Sequence, residues 1–520
     1  MKKKFNITGL CYPDQHYMMD VKQKMQEVMD MVESGEYFVI NRPRQYGKTT
    51  TLYFLENKLS ESPDYIPIKM NFQGIDGSAY TSDKAFTKML IHQLVHFLEY
   101  EAPELTTFSQ VAKKEVQDLQ SLSSFITKFV HKVNKKIILL IDEVDASTNY
   151  EPFINFLGML RTKYLNRYSQ QNATFHSIVL AGVHDIKTLK YKIRPYSDSK
   201  YLSPWNIAAD FEVRMSFNAA EIAPMLAEYT QAEKVTIDIP AMSEQLYYHT
   251  SGYPFLVSKL CKTIAEKLVP KKTERTWTSE DLAEAIRLLL RENNTNFDSL
   301  IKNLENNQDL YQLVHRIIID GESVPFNPDE PIIHLGRMYG IFKLNGRVKI
   351  HNRIYEQRLY NYLTAKAVVS LRATPDYGGH FLLNNNQLEM EAVLLKFQQF
   401  MKEQYSIKSI DFLDHHGRIL FLAFLSPILN GHGFAFREVQ TSLEKRLDVI
   451  VTYFQHQYII ELKQWYGAKA HKKGLDQLAD YLDIHGQKNG FLIIFNKRKN
   501  KEWMQKTIAH KGKTIFAIWV

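Results

Sequence analysis

Cysteine is almost absent: Cys11 and Cys261 are the two in 520 residues. That excludes a disulfide framework and a cysteine zinc cluster, and it suits a reducing cytosol. Long apolar runs are missing too. One of the longest clean ones, Ile419 to Leu425, is far too short to span a bilayer. No apolar stretch follows the basic start Met1-Lys2-Lys3-Lys4; Asn6, Thr8, Gly9, Pro13 and Asp14 come instead, which is no secretory signal. Short-period repeats and low-complexity tracts are also lacking. These absences point to a soluble cytoplasmic protein with no membrane partner.

What is present is ordinary globular material. Hydrophobic residues make up 45% and charged residues 23%, so disordered and fibrous classes are excluded. The length suggests roughly three or four domains. The net charge of +8 is unevenly placed. Residues 371–520 hold 20 Lys/Arg and 14 Asp/Glu. Within 497–513, Lys497, Arg498, Lys499, Lys501, Lys506, Lys511 and Lys513 stand against Glu502 alone. Such a cluster can neutralise nucleic-acid phosphates; a solvated surface is the competing explanation.

Short apolar strands are expected at 37–41, 65–72, 137–141 and 175–182, with amphipathic helices at 48–60, 82–100, 120–133 and 151–168. Such alternation implies a parallel sheet with helices on both faces. It stops near residue 215. Residues 218–320 read as all-helical, with a helix start at Thr278-Ser279-Glu280-Asp281. A proline-containing connector spans 322–331. Residues 332–363 read as helix, hairpin around Asn345-Gly346, and helix, the shape of a small winged-helix-like unit. Gly378-Gly379 and Asn384-Asn385-Asn386 suggest another boundary. From about 387 the expected order is helix, helix, three strands, helix, strand.

Two constellations carry chemistry. The first is Arg42-Pro43-Arg44-Gln45-Tyr46-Gly47-Lys48-Thr49, followed by Thr50, between a strand and a helix. Gly47 lets backbone approach phosphate oxygens, Lys48 can reach the β- and γ-phosphates of ATP, and the Thr49 hydroxyl can ligate Mg2+. Arg42 stands where the P-loop pattern has its first glycine, so the loop must turn differently there. Downstream, the apolar strand Ile137 to Ile141 ends in Asp142-Glu143. Asp142 would hold the magnesium, and Glu143 would polarise the attacking water. His184 or Asp185, after the next strand, could sense the γ-phosphate. Arg161, Arg167 and Arg194 are candidate arginine fingers among which one sequence does not choose.

The second constellation is Leu447-Asp448-Val449-Ile450-Val451 followed by Tyr458-Ile459-Ile460-Glu461-Leu462-Lys463. If a turn of an even number of residues joins them, Asp448 lies opposite Lys463, with Glu461 two residues along on the same face. An odd turn would put Asp448 on the other face. Asp448 and Glu461 together can hold Mg2+ or Mn2+. Such a metal would acidify a water, and Lys463 would stabilise charge at a scissile phosphate. Glu438 and Gln440, on a strand expected at Arg437 to Thr441, could complete the site, as could Glu444; Asp414 is a weaker possibility. Lys469, Lys473 and Gln477 share one face of the following helix. The bland alternative is a cross-strand salt-bridge network.

Two resemblances follow. Tyr37 to Thr50, Ile141-Asp142-Glu143, Ser203-Pro204-Trp205-Asn206-Ile207-Ala208 and Ser251-Gly252-Tyr253-Pro254-Phe255-Leu256 resemble the bacterial AAA-like ATPases of the AAA+/STAND kind, over roughly residues 1–365. That resemblance implies a helical lid and a winged helix behind the core, and a nucleotide-driven switch that is often a homo-oligomer. Residues 387–520, with the spacing Asp-x12-Glu-x-Lys, resemble the PD-(D/E)XK nucleases, although Leu447 replaces the proline. The expected fold class is therefore α/β. A P-loop ATPase core occupies 1–215, a helical lid 216–320, a winged-helix-like unit 321–370, and a restriction-endonuclease-like α/β domain 371–520. The functional expectation is an ATP-hydrolysing, Mg2+- or Mn2+-dependent nuclease whose partner is DNA, with bacterial genome defence as the role the architecture suggests. The alternative is a nucleotide-driven switch whose C-terminal part binds nucleic acid without cutting.

Overall fold

The computed structural model describes residues 2–102, 105–133, 135–183, 205–320, 322–327, 329–344, 346–370, 381, 383, 387–407, 410–429, 433–436, 449–453, 456–465, 468–496 and 502–520. The chain forms two compact units. One comprises Met1–Leu300, Asn327–Lys343 and His351–Arg353; the other comprises Ile301–Phe326, Leu344–Ile350 and Ile354–Val520.

The first unit opens with α1 (Lys22–Glu33), β1 (Tyr37–Asn41), α2 (Lys48–Ser60) and β2 (Tyr65–Asn71). Then come α3 (Asp83–Tyr100), α4 (Thr106–Glu115), α5 (Leu119–Lys132), β3 (Lys136–Asp142), α6 (Glu151–Leu165) and β4 (Ser177–Gly182). The strands form one parallel sheet in the order β1-β4-β3-β2. Five successive residues of β3, Ile137 to Ile141, are apolar and buried. Burial on both faces is what makes such a strand continuously apolar rather than alternating. Phe72, Phe86, Phe125, Phe129, Phe153 and Phe156 belong to the core packed around this sheet. The segment after Trp205 runs beside β1: Ala209 N–H donates to Tyr37 O at 2.8 Å, and buried Trp205 stacks on the Tyr37 ring.

Helices follow, as the apolar periodicity requires: α7 (Ala219–Glu233), α8 (Ile239–Thr250), α9 (Pro254–Thr263), α10 (Ser279–Arg291), α11 (Thr295–Glu305) and α12 (Gln308–His315). Capping boxes at Asn218/Glu221 and Thr278/Asp281 start α7 and α10, satisfying amides that otherwise lack partners. Next come α13 (Pro331–Met338), the paired strands β5 (Phe342–Leu344) and β6 (Val348–Ile350), and α14 (Arg353–Ser370).

In the second unit, α15 (Met390–Ile407) and α16 (Ile410–Leu429) precede β7 (Gly433–Phe436), β8 (Val449–Tyr453) and β9 (His456–Gln464). Then come α17 (Ala468–Ile484), β10 (Asn489–Phe495), β11 (Gln505–His510) and β12 (Lys513–Trp519). The sheet order is β11-β12-β10-β9-β8-β7. β7, β8 and β9 pair antiparallel, whereas β9, β10 and β12 pair parallel. The parallel step from β9 to β10 needs a crossover, and α17 supplies it. A single closing strand was expected here; three form. The extra hairpin turns at Lys511-Gly512, both left-handed with φ of 48° and 73°. Among the described residues no helix is long and apolar enough to cross a membrane.

Candidate nucleotide site and a second acidic site

β1 delivers the phosphate loop and α2 receives it. Gly47 has φ 85° immediately before Lys48 starts α2, and Gln45 has φ 57°. Left-handed backbone at these two positions gives the loop its turn where the first glycine is missing. Arg42 has another use. Its guanidinium donates to Phe211 O at 3.1 Å, Val213 O at 2.9 Å and Asn41 O at 3.0 Å, and it lies over the Phe211 ring. The side chain thus pins the 211–213 segment to the end of β1, which is why arginine stands where the pattern has glycine.

Lys48 is buried, and its ammonium donates to Arg42 O at 3.0 Å and Pro43 O at 3.1 Å. Burial lowers its pKa, opposed by the charges of Asp145, Glu143 and Asp142. Asp142 ends β3 opposite Asn71 of β2. Its Oδ1 accepts the Glu143 N–H at 2.9 Å, and its Oδ2 is buried without a hydrogen-bond partner. A buried carboxylate oxygen left unpaired is costly, and such an oxygen suits a cation. Glu143 follows with φ 55°, half-buried. Burial raises its carboxyl pKa, while Lys48 pulls the other way.

The loop is also gripped from the helical and hairpin segments. α8 ends in two left-handed residues, Ser251 and Gly252, and Pro254 opens α9. Tyr253, between them, sends its hydroxyl to Arg44 O at 2.5 Å. Tyr46 Oη lies 3.0 Å from His351 Nε2, and its ring meets Tyr253 edge-on. Gln45 Nε2 donates to Thr295 Oγ1 at 3.3 Å. Pro43 packs against Gly340, where a Cβ would come within 2.8 Å of it. Thr50 Oγ1 accepts the Cys11 N–H at 3.4 Å. The Ser251-Gly252-Tyr253-Pro254 run therefore has a physical role, clasping the phosphate loop.

Of the candidate arginines, Arg161 donates to Asn206 Oδ1 at 2.6 Å, and Arg167 lies 3.9 Å over the Tyr164 ring. His184, Asp185 and Arg194 lie outside the described residues.

In the second unit, β8 pairs antiparallel with β9. The pairing has the parity of the even case considered above, but not its register. Val449 faces Ile460 and Tyr453 faces His456, so β9 is displaced by two residues from the pairing that put Asp448 opposite Lys463. Asp448, Glu438, Gln440 and Glu444 lie outside the described residues, as do 437–441 and the side chains of Asp414, Lys469 and Lys473. Glu461 is 1% exposed, and its Oε1 is 2.6 Å from Lys463 Nζ. The Lys463 stem lies along Gly474 of α17, where a Cβ would be 3.5 Å from its Cγ. Among the described residues no group of three or more His, Cys, Asp or Glu is arranged to hold a metal.

The C-terminal basic cluster is partly neutralised. Lys511 pairs with Asp476 at 3.1 Å and Asp480 at 3.3 Å, Lys513 with Asp483 at 2.6 Å, and His510 meets Asp476 at 2.9 Å. These residues strap the β11–β12 hairpin to α17. Lys497, Arg498, Lys499 and Lys501 lie outside the described residues.

Comparison with known proteins extends this picture. An uncharacterized WD repeat-containing protein of Synechocystis sp. is 24% identical over 269 residues, which cover 48% of this chain and 21% of that protein. The chain thus matches about a fifth of that relative's length. Among solved structures, the Walker-type ATPase of Pyrococcus abyssi matches at 13% identity, over 68% of this chain and 99% of that one, with a TM-score of 0.47. The ORC2 protein of Aeropyrum pernix matches at 12%, over 67% and 93%, with 0.36. The RuvB Holliday junction branch migration motor of Thermotoga maritima matches at 11%, over 66% and 95%, with 0.35. The AAA-like domain model matches residues 12–365, from the segment preceding α1 into α14. Over that stretch, with its phosphate loop on a parallel sheet, this chain belongs to the AAA-like domain family.

Proposed function

We propose that the chain is an ATPase whose nucleotide cycle controls a metal-dependent DNA nuclease in residues 371–520. The observation that carries the ATPase half is that Lys48, opening α2 after β1, and Asp142 and Glu143, after β3, lie at the C-terminal ends of parallel strands, where open α/β sheets place ligands. Asp142 and Thr49 would hold magnesium, which would supply charge neutralisation for the nucleotide phosphates. Lys48 gives up the Arg42 and Pro43 carbonyls for phosphate oxygens. Arg44, Gln45, Tyr46, Gly47 and Thr50 shape the loop around the phosphates. Glu143 would polarise the attacking water.

The nuclease half is supported by Glu461, a carboxylate buried in a central strand beside Lys463. Burying charge in an apolar strand is costly, and functional sites are where such cost recurs. Three antiparallel strands, a crossover helix and a parallel strand form the scaffold. Asp448 and Glu461, with Glu438, would hold Mg2+ or Mn2+, and Lys463 would act on the scissile phosphate. DNA is the proposed substrate and a homo-oligomer the proposed assembly. The ion pair between Glu461 and Lys463 equally suits a binding domain that does not cut, so the test separates the two.

Plasmid is incubated with the full chain and Mg2+ or Mn2+, with and without ATP. Wild type should cut; Asp448→Ala and Glu461→Ala should not. Lys463→Ala should cut roughly 10²- to 10³-fold more slowly. All three should keep ATPase activity, since Lys48 and Glu143 belong to the other compact unit. Wild type that leaves single- and double-stranded DNA intact would leave the nucleotide-driven binding switch as the better account.

A further inference from the structure

Asp145 is the third carboxylate of the run Asp142-Glu143-Val144-Asp145, and the division into magnesium ligand and base does not use it. After Glu143, residues Val144–Ala146 make one turn of 3-10 helix. This turn brings Asp145 to the end of β4, where its Oδ2 accepts the Val183 N–H at 2.7 Å. Its Oδ1 occupies space that the absent side chain of Gly182 leaves open. A Cβ at residue 182 would lie 2.9 Å from that oxygen and 2.9 Å from Val144 Cγ2.

β4 lies between β1 and β3, and Arg42 N–H donates to Gly182 O at 3.1 Å. One carboxylate therefore links the turn after β3 to the end of β4, and through Gly182 to the first residue of the phosphate loop. The link matters because Glu143 is held at φ 55°, a left-handed conformation that a non-glycine residue keeps only where its surroundings over-determine it. The charges of Asp145, Glu143 and Asp142 all act on the Lys48 ammonium, opposing its burial.

We infer that Asp145 is a positioning residue of the nucleotide site, tying the Glu143 turn to the end of β4 so that base and lysine keep their spacing through turnover. This rests on the ATPase reading above. Displacing a reacting group by about 1 Å can cost on the order of 10²-fold in rate. Asp145→Ala should therefore lower kcat by roughly tenfold to a hundredfold, while the Kd for ATP stays within about threefold.

The experiment uses the full chain and three variants: Asp145→Ala, Asp145→Asn and Gly182→Ala. It reads kcat, the Kd for ATP, and hydrogen exchange in the peptide carrying Val183. Asp145→Asn keeps an oxygen for the Val183 N–H and should recover most of the lost kcat. Gly182→Ala should reproduce the loss and add little to it when combined with Asp145→Ala, as coupled neighbours do. Exchange at Val183 should quicken in Asp145→Ala. Wild-type kcat in Asp145→Ala overturns the inference. So does an equal weakening of Kd and kcat that Asp145→Asn does not relieve. If wild type itself hydrolyses no ATP, the ATPase reading fails separately, and unchanged exchange at Val183 in Asp145→Ala sinks the tie on its own.

Discussion

His351 is buried against Tyr46 and Tyr253, and burial together with the nearby Lys343 charge pulls its pKa down to about 3. An unfolded histidine titrates near 6.5. Below that pH the unfolded chain takes up a proton that the folded chain refuses, so stability is full above about 6.5 and falls as the pH drops towards 3. The slope reaches about 1.4 kcal/mol per pH unit for one such group. His249, lowered to about 4 by burial and Arg353, adds to the same window. Thermal unfolding of wild type between pH 7.5 and 5 should show a midpoint that falls with pH, and His351→Gln should flatten the fall. A parallel fall in both proteins would mean that other groups set the acid limit. The residues proposed for the phosphate chemistry could be picked out because each sits at a fixed local spacing: Gly47, Lys48 and Thr49 in one turn, Asp142 and Glu143 at one strand end. The uses of Arg42 and Tyr253 were not legible, because their partners lie 169 and 209 residues away. Asp145 was missed although two signals were available: a third carboxylate in the run, and a glycine closing β4.

At the scale of elements, the Ser251-Gly252 turn decides how α8 hands over to α9 and where Tyr253 points. Gly252 has φ 71°, and a Cβ there would lie 1.8 Å from Phe217 O. Its carbonyl also accepts the Phe217 N–H at 3.0 Å. Left-handed backbone alone costs roughly 1–2 kcal/mol for a residue with a Cβ, and the clash with backbone adds to it. Gly252→Ala should therefore destabilise the first unit by more than about 2 kcal/mol, read as a lower midpoint in denaturant. Unchanged stability would show that the turn opens freely and that the clasp on Arg44 is not fixed by it. β1, β3 and β4 of the first sheet were readable because burial on both faces leaves near-continuous apolar runs. β11 was not: Lys506, Thr507 and His510 look like a charged tail, and their strand role depends on pairing with β12 and on the acidic side of α17. The Lys511-Gly512 turn was the local signal. The displaced β8–β9 register has a similar origin, since parity alone allows registers two residues apart and the pairing takes the one with Tyr453 opposite His456.

At the scale of the whole chain, the two acidic sites belong to different compact units, and the AAA-like match ends at residue 365. Failure of one chemistry should therefore leave the other intact. The phosphate site is where sequence pattern, sheet topology and family coincide, and the central claim is that Glu143 drives ATP hydrolysis there while Lys48 holds the nucleotide. The most direct measurement is ATP affinity together with single-turnover hydrolysis, on the full chain, for wild type, Lys48→Ala and Glu143→Gln. Lys48→Ala should lose nucleotide binding and hydrolysis together. Glu143→Gln should bind ATP within about threefold of wild type and hydrolyse it roughly 10²- to 10⁴-fold more slowly, the usual contribution of a positioned general base. Hydrolysis by Glu143→Gln at the wild-type rate would contradict the account.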